Sequence, residues 1–227
     1  MVKMALVSRS TLDGPTDEEI MHVLGLTATS TGQLCDRLRN LFTGRDIHSG
    51  EKLLTEMQQR VRQVNVANGW FDEDRSLGDG IALIHSEISE MFEAYRDHGF
   101  RDATLDHLGS GKLEDRGKLP KPEGFGSEAA DVLVRILDES DRQGWTLDWP
   151  TLQEVSDWDY DDFDNQATVG AHIASMHQLT ARVEINKLLS YLVTWCRRLD
   201  DIHLQEEFER KLAYNATRGH KHGGKLL

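Results

Sequence analysis

Glu87 and Glu90 are three residues apart, and Glu128 and Asp131 repeat that spacing further along the chain. On an α-helix, residues three apart leave the same face about one turn from each other, so each pair can present two carboxylates side by side. Four carboxylates in one patch repel and raise one another's pKa unless a cation sits among them. Hard oxygen ligands of this kind suit magnesium, with manganese as a substitute, because such an ion keeps several waters and completes its shell with substrate phosphates. The chemistry to expect is metal-assisted attack on a phosphate, two ions being able to hold a water on one side and the leaving oxygens on the other. In so acidic a chain a single pair with this spacing is ordinarily solvated surface. A pair of pairs on consecutive helices with buried stripes is a stronger signal.

The elements that must position these residues are helical. Only four prolines occur, Pro15, Pro120, Pro122 and Pro150, and the stretches between them repeat their apolar residues at helix period. The fold class expected is all-α, a helical bundle. Ile81, Ile84, Ile88, Met91 and Tyr95 recur at steps of three and four, predicting a helix over about 76–97 with Glu87 at the edge of its apolar seam. A second helix is predicted from Gly126-Ser127 to Gly144, with Ala129, Val132, Leu133, Ile136 and Leu137 on its buried side. Between them, seven glycines and prolines from Gly99 to Gly124 read as a long loop.

Further helices are expected at about 16–25, 31–42, 49–67, 167–200 and 203–217, the first with capping-box spacing from Thr16 to Glu19, the second closed by Gly44. The segment 148–165 is an acidic connector, and the tail HKHGGKLL is expected to be loose unless a ligand orders it. SLGDGIALIHSEISEM (76–91) can be laid over TVGAHIASMHQLTARV (168–183), pairing Gly78 with Gly170, Ile81 with Ile173 and His85 with His177. In that register the second copy, within a degenerate repeat over 167–200, has lost its carboxylates.

Composition limits the function. The 227 residues carry 39 acidic and 26 basic side chains, a formal net charge of −13, which opposes binding to a nucleic-acid backbone. Cys35 and Cys196 form no metal-type pair and no disulfide framework. The first ten residues, MVKMALVSRS, lack the apolar core of a signal peptide, and no apolar run reaches the length of a membrane span, so a cytoplasmic protein with no membrane partner is expected.

The segments IHSEISEMFEAYRD and KPEGFGSEAADVLVRILD resemble the ExxE…ExxD signature of the MazG-like all-α nucleoside triphosphate pyrophosphohydrolases, a superfamily that includes dimeric dUTPases and a dCTP-cleaving branch. The ending RKLAYNATRGHKHGGK resembles the close of short MazG-like proteins, phage-encoded ones among them. This resemblance implies an N-terminal helical extension over 1–65 and a catalytic helical domain over 66–227. It implies that Glu87, Glu90, Glu128 and Asp131 bind magnesium and serve catalysis. The reaction would cleave a nucleoside triphosphate to its monophosphate and pyrophosphate, with water as nucleophile and one of the four carboxylates taking its proton. The shorter relatives resemble obligate dimers or tetramers, so a homo-oligomer is one expectation, while an in-chain repeat would let one chain supply both halves. The chain departs from the family pattern in the roughly 37 residues between Glu90 and Glu128 and in the roughly 45 that follow Gly144.

Substrate contacts are expected from Lys211, Asn215 and Arg218, which follow one another at four and three residues and so line one face of the last helix. A point cation, an amide and a guanidinium fork suit a polyphosphate. Lys221 and Lys225 on the tail could fold over it, and Trp70, ahead of Phe71, is placed to stack on a nucleobase. Without the family resemblance, the same cations would be read as offsetting a helix dipole and the aromatic pair as core. His85 next to Glu87 also suggests the H-x-E motif of a zinc deaminase, but the PCxxC thiolates this chemistry needs are absent. His85 is then a packing residue or a neighbour supporting the carboxylates. The competing readings are a dUTPase or dCTPase with the same chemistry, and a non-catalytic helical module that binds a nucleotide or a protein.

Overall fold

The computed structural model describes residues 47–100, 121–148, 167–199 and 202–224. The expected helices at 16–25 and 31–42, most of the long loop, the acidic connector beyond Asp148, and Cys35 and Lys225 lie outside the described residues. Within them the chain is all-α: α1 (Ile47–Ala67), α2 (Leu77–His98), α3 (Phe125–Gln143), α4 (Val169–Ala181), α5 (Ile185–Arg198) and α6 (Leu204–Ala216), then a single turn at Lys221–Gly224. No described helix is long and apolar enough to cross a membrane.

Local chemistry sets the ends of the two central helices. The Ser76 hydroxyl oxygen accepts the Asp79 amide at 3.1 Å and caps α2, while the Gly99 amide closes it on the Tyr95 carbonyl. Gly144 takes φ +67° after α3, and its amide and that of Trp145 return to the Asp141 and Ser140 carbonyls, the paired bonds of a Schellman motif. α3 is the central element and packs against α1, α2, α5 and α6. Phe125, Ala129, Val132, Leu133, Ile136 and Leu137 are all fully buried along it.

The order of contacts gives the helix directions. Along α2, Gly80 lies beside Glu139 and Glu87 beside Arg135, so the sequence runs backwards along α3 and the two helices are antiparallel. A Cβ at Gly80 would meet the Glu139 carboxylate, which Arg75 holds in place, so a glycine suits the close approach of α2 to α3 here. α1 also runs antiparallel to α3, through Asn65 to Asp138 and Arg62 to Asp141. Leu54, Met57, Val61 and Val64 of α1 belong to the common core, so the expected domain boundary at 65 cuts through a helix of the bundle.

Two segments show detail beyond the expectation. The helical region 167–200 is two helices, broken at Arg182–Glu184, where Val183 takes φ +57° and its amide bonds the Thr180 carbonyl at 2.9 Å. No glycine or proline marks this break, and a β-branched residue seldom adopts that conformation. The described start of the tail, His220–His222, also packs onto the turn after α1. The Lys221 amide donates to the Asn68 carbonyl at 2.7 Å, His220 meets Asp72 at 2.8 Å, and the His222 ring stands edge-on to Trp70. Gly69, at φ +78°, lies under His220 where a Cβ would not fit.

α4 packs on α2. Thr168 caps α4 as Ser76 caps α2, each accepting the amide three residues on, and the register-matched His85 and His177 meet with Nδ1 atoms 2.8 Å apart and rings stacked. One imidazole must donate and the other accept, and burial lowers both pKa values, so the pair is held neutral.

At the Gln143 end of α3 a buried ionic network joins three elements. Arg75 reaches Asp138 at 2.6 Å and Glu139 at 2.7 Å, while Asn65 and Arg142 also donate to Asp138. Burial opposes the charge on Asp138, but Arg75 and Arg142 outweigh it and hold this carboxyl below its usual range. Replacing Asp138 with Ala removes a buried partner from Arg75, Arg142 and Asn65 at once, leaving Arg75 to Glu139 alone, and should cost about 3 kcal/mol in urea unfolding. Asp141→Ala, which breaks only the exposed pair with Arg62, should cost less than about 1 kcal/mol in the same assay.

Candidate metal centre

α2 and α3 bring the carboxylates together as the antiparallel packing requires. One ligand oxygen each from Glu87, Glu128 and Asp131 lie within 4.8 Å of one another. Glu90 stands beside this group rather than in it. It is exposed on the next turn of α2, with the Ser86 hydroxyl 3.4 Å away, and its charge still pushes the Glu87 and Glu128 pKa values upward. The expected quartet is therefore a trio with a fourth carboxylate at its rim.

Burial dominates the electrostatics. Glu87 is 7% exposed and Glu128 8%. Burial raises the Glu128 carboxyl most, Lys211 opposes this, and Asp131, Glu90 and Glu87 add to it, leaving the group at about 7. Glu87 is also raised, by burial first and by Asp131 and Glu90, against the pull of Arg135. Two cations meet the trio. Arg135 Nε donates to Glu87 Oε1 at 2.9 Å. The buried Lys211 ammonium, reaching across from α6, lies 2.8 Å from Asp131 Oδ2, 2.8 Å from Ser127 Oγ and 3.5 Å from Glu128 Oε1. Burial would lower the Lys211 pKa, but Asp131 and Glu128 more than reverse this and it is raised.

The donor set fits a hard divalent ion. Neighbouring oxygens on an octahedral magnesium are about 3 Å apart and opposite ones about 4.2 Å, the same scale as the 4.8 Å within which these three oxygens lie.

The expected substrate residues are spread over two places. Lys211 lies inside the carboxylate group. One turn further along α6, the Asn215 carbonyl accepts from Asn68, beside the turn that carries Trp70. Lys221 Nζ is held by Glu73 at 3.0 Å, and Trp70 packs on His222 while its carbonyl accepts from Arg142. Phe71 lies under the guanidinium groups of Arg62 and Arg142. α6 ends at Ala216, so Arg218 does not share a helix face with Lys211 and Asn215, as the sequence pattern implies; it lies past the Thr217 cap, near the Tyr214 ring.

Sequence reasoning missed Arg135. A signal was present, because Glu128, Asp131, Arg135, Asp138 and Arg142 follow at steps of three, four, three and four along α3. Charged residues at the spacing of an apolar stripe mark a helix face that is buried and ionically paired.

Comparison with protein-family models, curated proteins and solved structures finds no match.

The raised Glu128 carboxyl sets a pH dependence. From its ordinary value of 4.5 to about 7 the folded chain keeps a proton that the unfolded chain has lost, so metal-free stability should fall as pH rises through this window. A divalent cation competes with that proton. The rise in thermal midpoint on adding magnesium should therefore grow across the window and level off above it. Glu128→Gln should lose most of that rise, and an equal magnesium effect at about pH 5 and about pH 8 would count against the site.

Proposed function

We propose that this protein is a magnesium-dependent nucleotide pyrophosphohydrolase of MazG-like type, cleaving a nucleoside or deoxynucleoside triphosphate to its monophosphate and pyrophosphate. The observation that carries this reading is the convergence of Glu87, Glu128 and Asp131 from two antiparallel helices, in the register that the ExxE…ExxD resemblance implies. Magnesium or manganese held there would supply Lewis-acid polarisation of a phosphate and lower the pKa of a water. The chain's own residues would do the rest. Glu87 is oriented by Arg135, and Glu90, at the exposed rim, is the carboxylate free to take a proton from the attacking water. Trp70, Asn215 and Lys221 converge around Asn68, one turn of α6 from the trio, where a base and its phosphates could be received. A dUTPase or dCTPase shares this chemistry and differs only in base selection.

One observation favours a second reading, a helical module that binds without cutting. Lys211 and Arg135 already offset part of the trio's charge, as they would in a purely structural network.

The test is pyrophosphate release from a panel of ribo- and deoxynucleoside triphosphates with and without magnesium. The expected result is metal-dependent turnover of at least one substrate, reduced by about a hundredfold or more in Glu87→Ala and in Glu128→Ala. Turnover retained in both variants removes the metal site, and nucleotide binding without turnover favours the second reading.

A further inference from the structure

Lys211 is more deeply placed than a phosphate-binding lysine needs to be. Its side chain is 5% exposed, and its three N–H groups are taken up by Asp131 at 2.8 Å, Ser127 Oγ at 2.8 Å, and Glu128 Oε1 and the Pro122 carbonyl, both at 3.5 Å. An ammonium and a divalent cation seek the same oxygens. Of the three carboxylates in the group, Lys211 contacts two and Arg135 the third, so every one of them already has a protein cation beside it. The two cations differ in how they are held. Arg135 Nε meets Glu87 from within α3 itself, whereas Lys211 comes from α6 on a flexible four-carbon stem. A divalent ion drawing Asp131 and Glu128 inward cannot share that space with an ammonium 2.8 Å from Asp131 without strong repulsion.

We propose that Lys211 is a tethered counter-ion: it occupies the carboxylate group when no metal is bound, and a loading divalent cation displaces it from Asp131 and leaves its ammonium free for the phosphates of the substrate. This inference rests on the metal site of the proposed function and assigns a regulation to it. Metal loading and the presentation of a positive charge to substrate become one event. The exchange also gives the site a reason to stay folded without metal, since the lysine limits repulsion among the carboxylates until the ion arrives. The Ser127 hydroxyl, buried beside Glu128, marks the resting position of the ammonium.

The test is manganese binding to the full chain, followed by calorimetry and by the loss of the free-ion paramagnetic resonance signal, for the wild type and Lys211→Met. Removing a competing charge should tighten binding by about tenfold or more in the variant. Equal or weaker binding in Lys211→Met, with clear binding in the wild type, overturns the exchange while leaving the metal site in place. No binding in either protein overturns both. Binding seen only in the variant is the expected result in its strongest form. Should Lys211→Met fail to fold, the wild type decides: the ¹⁵N resonance of the Lys211 ammonium should shift, and its protons exchange faster, on saturation with magnesium. A resonance unchanged by saturating metal overturns the proposal.

Discussion

The rest of the structure depends on the cost of burying charge along α3. A helix at the centre of a bundle would ordinarily present apolar residues to all its neighbours, yet Glu128, Asp131, Arg135, Asp138 and Arg142 form a charged stripe down one side of it. Each acid on that stripe must meet a cation or lose its charge. Asp138 is met twice, by Arg75 and Arg142, and its carboxyl is held below the usual range. Asp131 and Glu128 share one lysine, and Glu128 is pushed up to about 7. The same helix therefore carries a charge-balanced network at one end and an under-neutralised one at the other.

That difference separates a structural cluster from one suited to a ligand. Around Asp138 two arginines face two acids and the groups are nearly sealed from water, with only the Arg75 Nε left without a hydrogen bond. Around Glu128 three carboxylates converge on one lysine and one arginine, with a fourth, Glu90, at the rim. Excess negative charge in a partly buried place favours proton uptake or cation binding, and the two compete for the same oxygens. The metal reading draws on this imbalance, which counting acidic residues alone would not reveal.

Much of the scaffold was legible because its signals are local. The apolar steps from Ile81 to Tyr95 and the Gly126-Ser127 start and Gly144 end of the next helix set α2 and α3 to within a residue or two. The convergence of Glu87 with Glu128 and Asp131 was legible too, because an antiparallel pair of helices leaves few registers that bury both stripes. Three features were not. The break at Val183 follows from tertiary packing overriding a sequence with no helix breaker. The docking of His220–His222 onto the Asn68–Glu73 turn joins residues about 150 apart, beyond the reach of any periodicity. The position of Lys211 depended on how α6 lies across α3, and spacing within α6 could not show it.

Lys211 shows why a cation's chemistry cannot be assigned from its own helix. Beside Asn215 on a terminal helix, a lysine suits a phosphate contact or compensation of a helix dipole equally well. Placed between Ser127 and Asp131 it becomes part of the acidic group's charge balance, and its helix becomes a third wall of the site. Through the Asn68 amide and the Asn215 carbonyl, that wall is also joined to the turn that receives the tail. α6 carries both Lys211, in the carboxylate group, and the Asn215 carbonyl, bonded to Asn68 beside the turn bearing Trp70. The carboxylate group and the aromatic turn are thus joined through one helix of 13 residues.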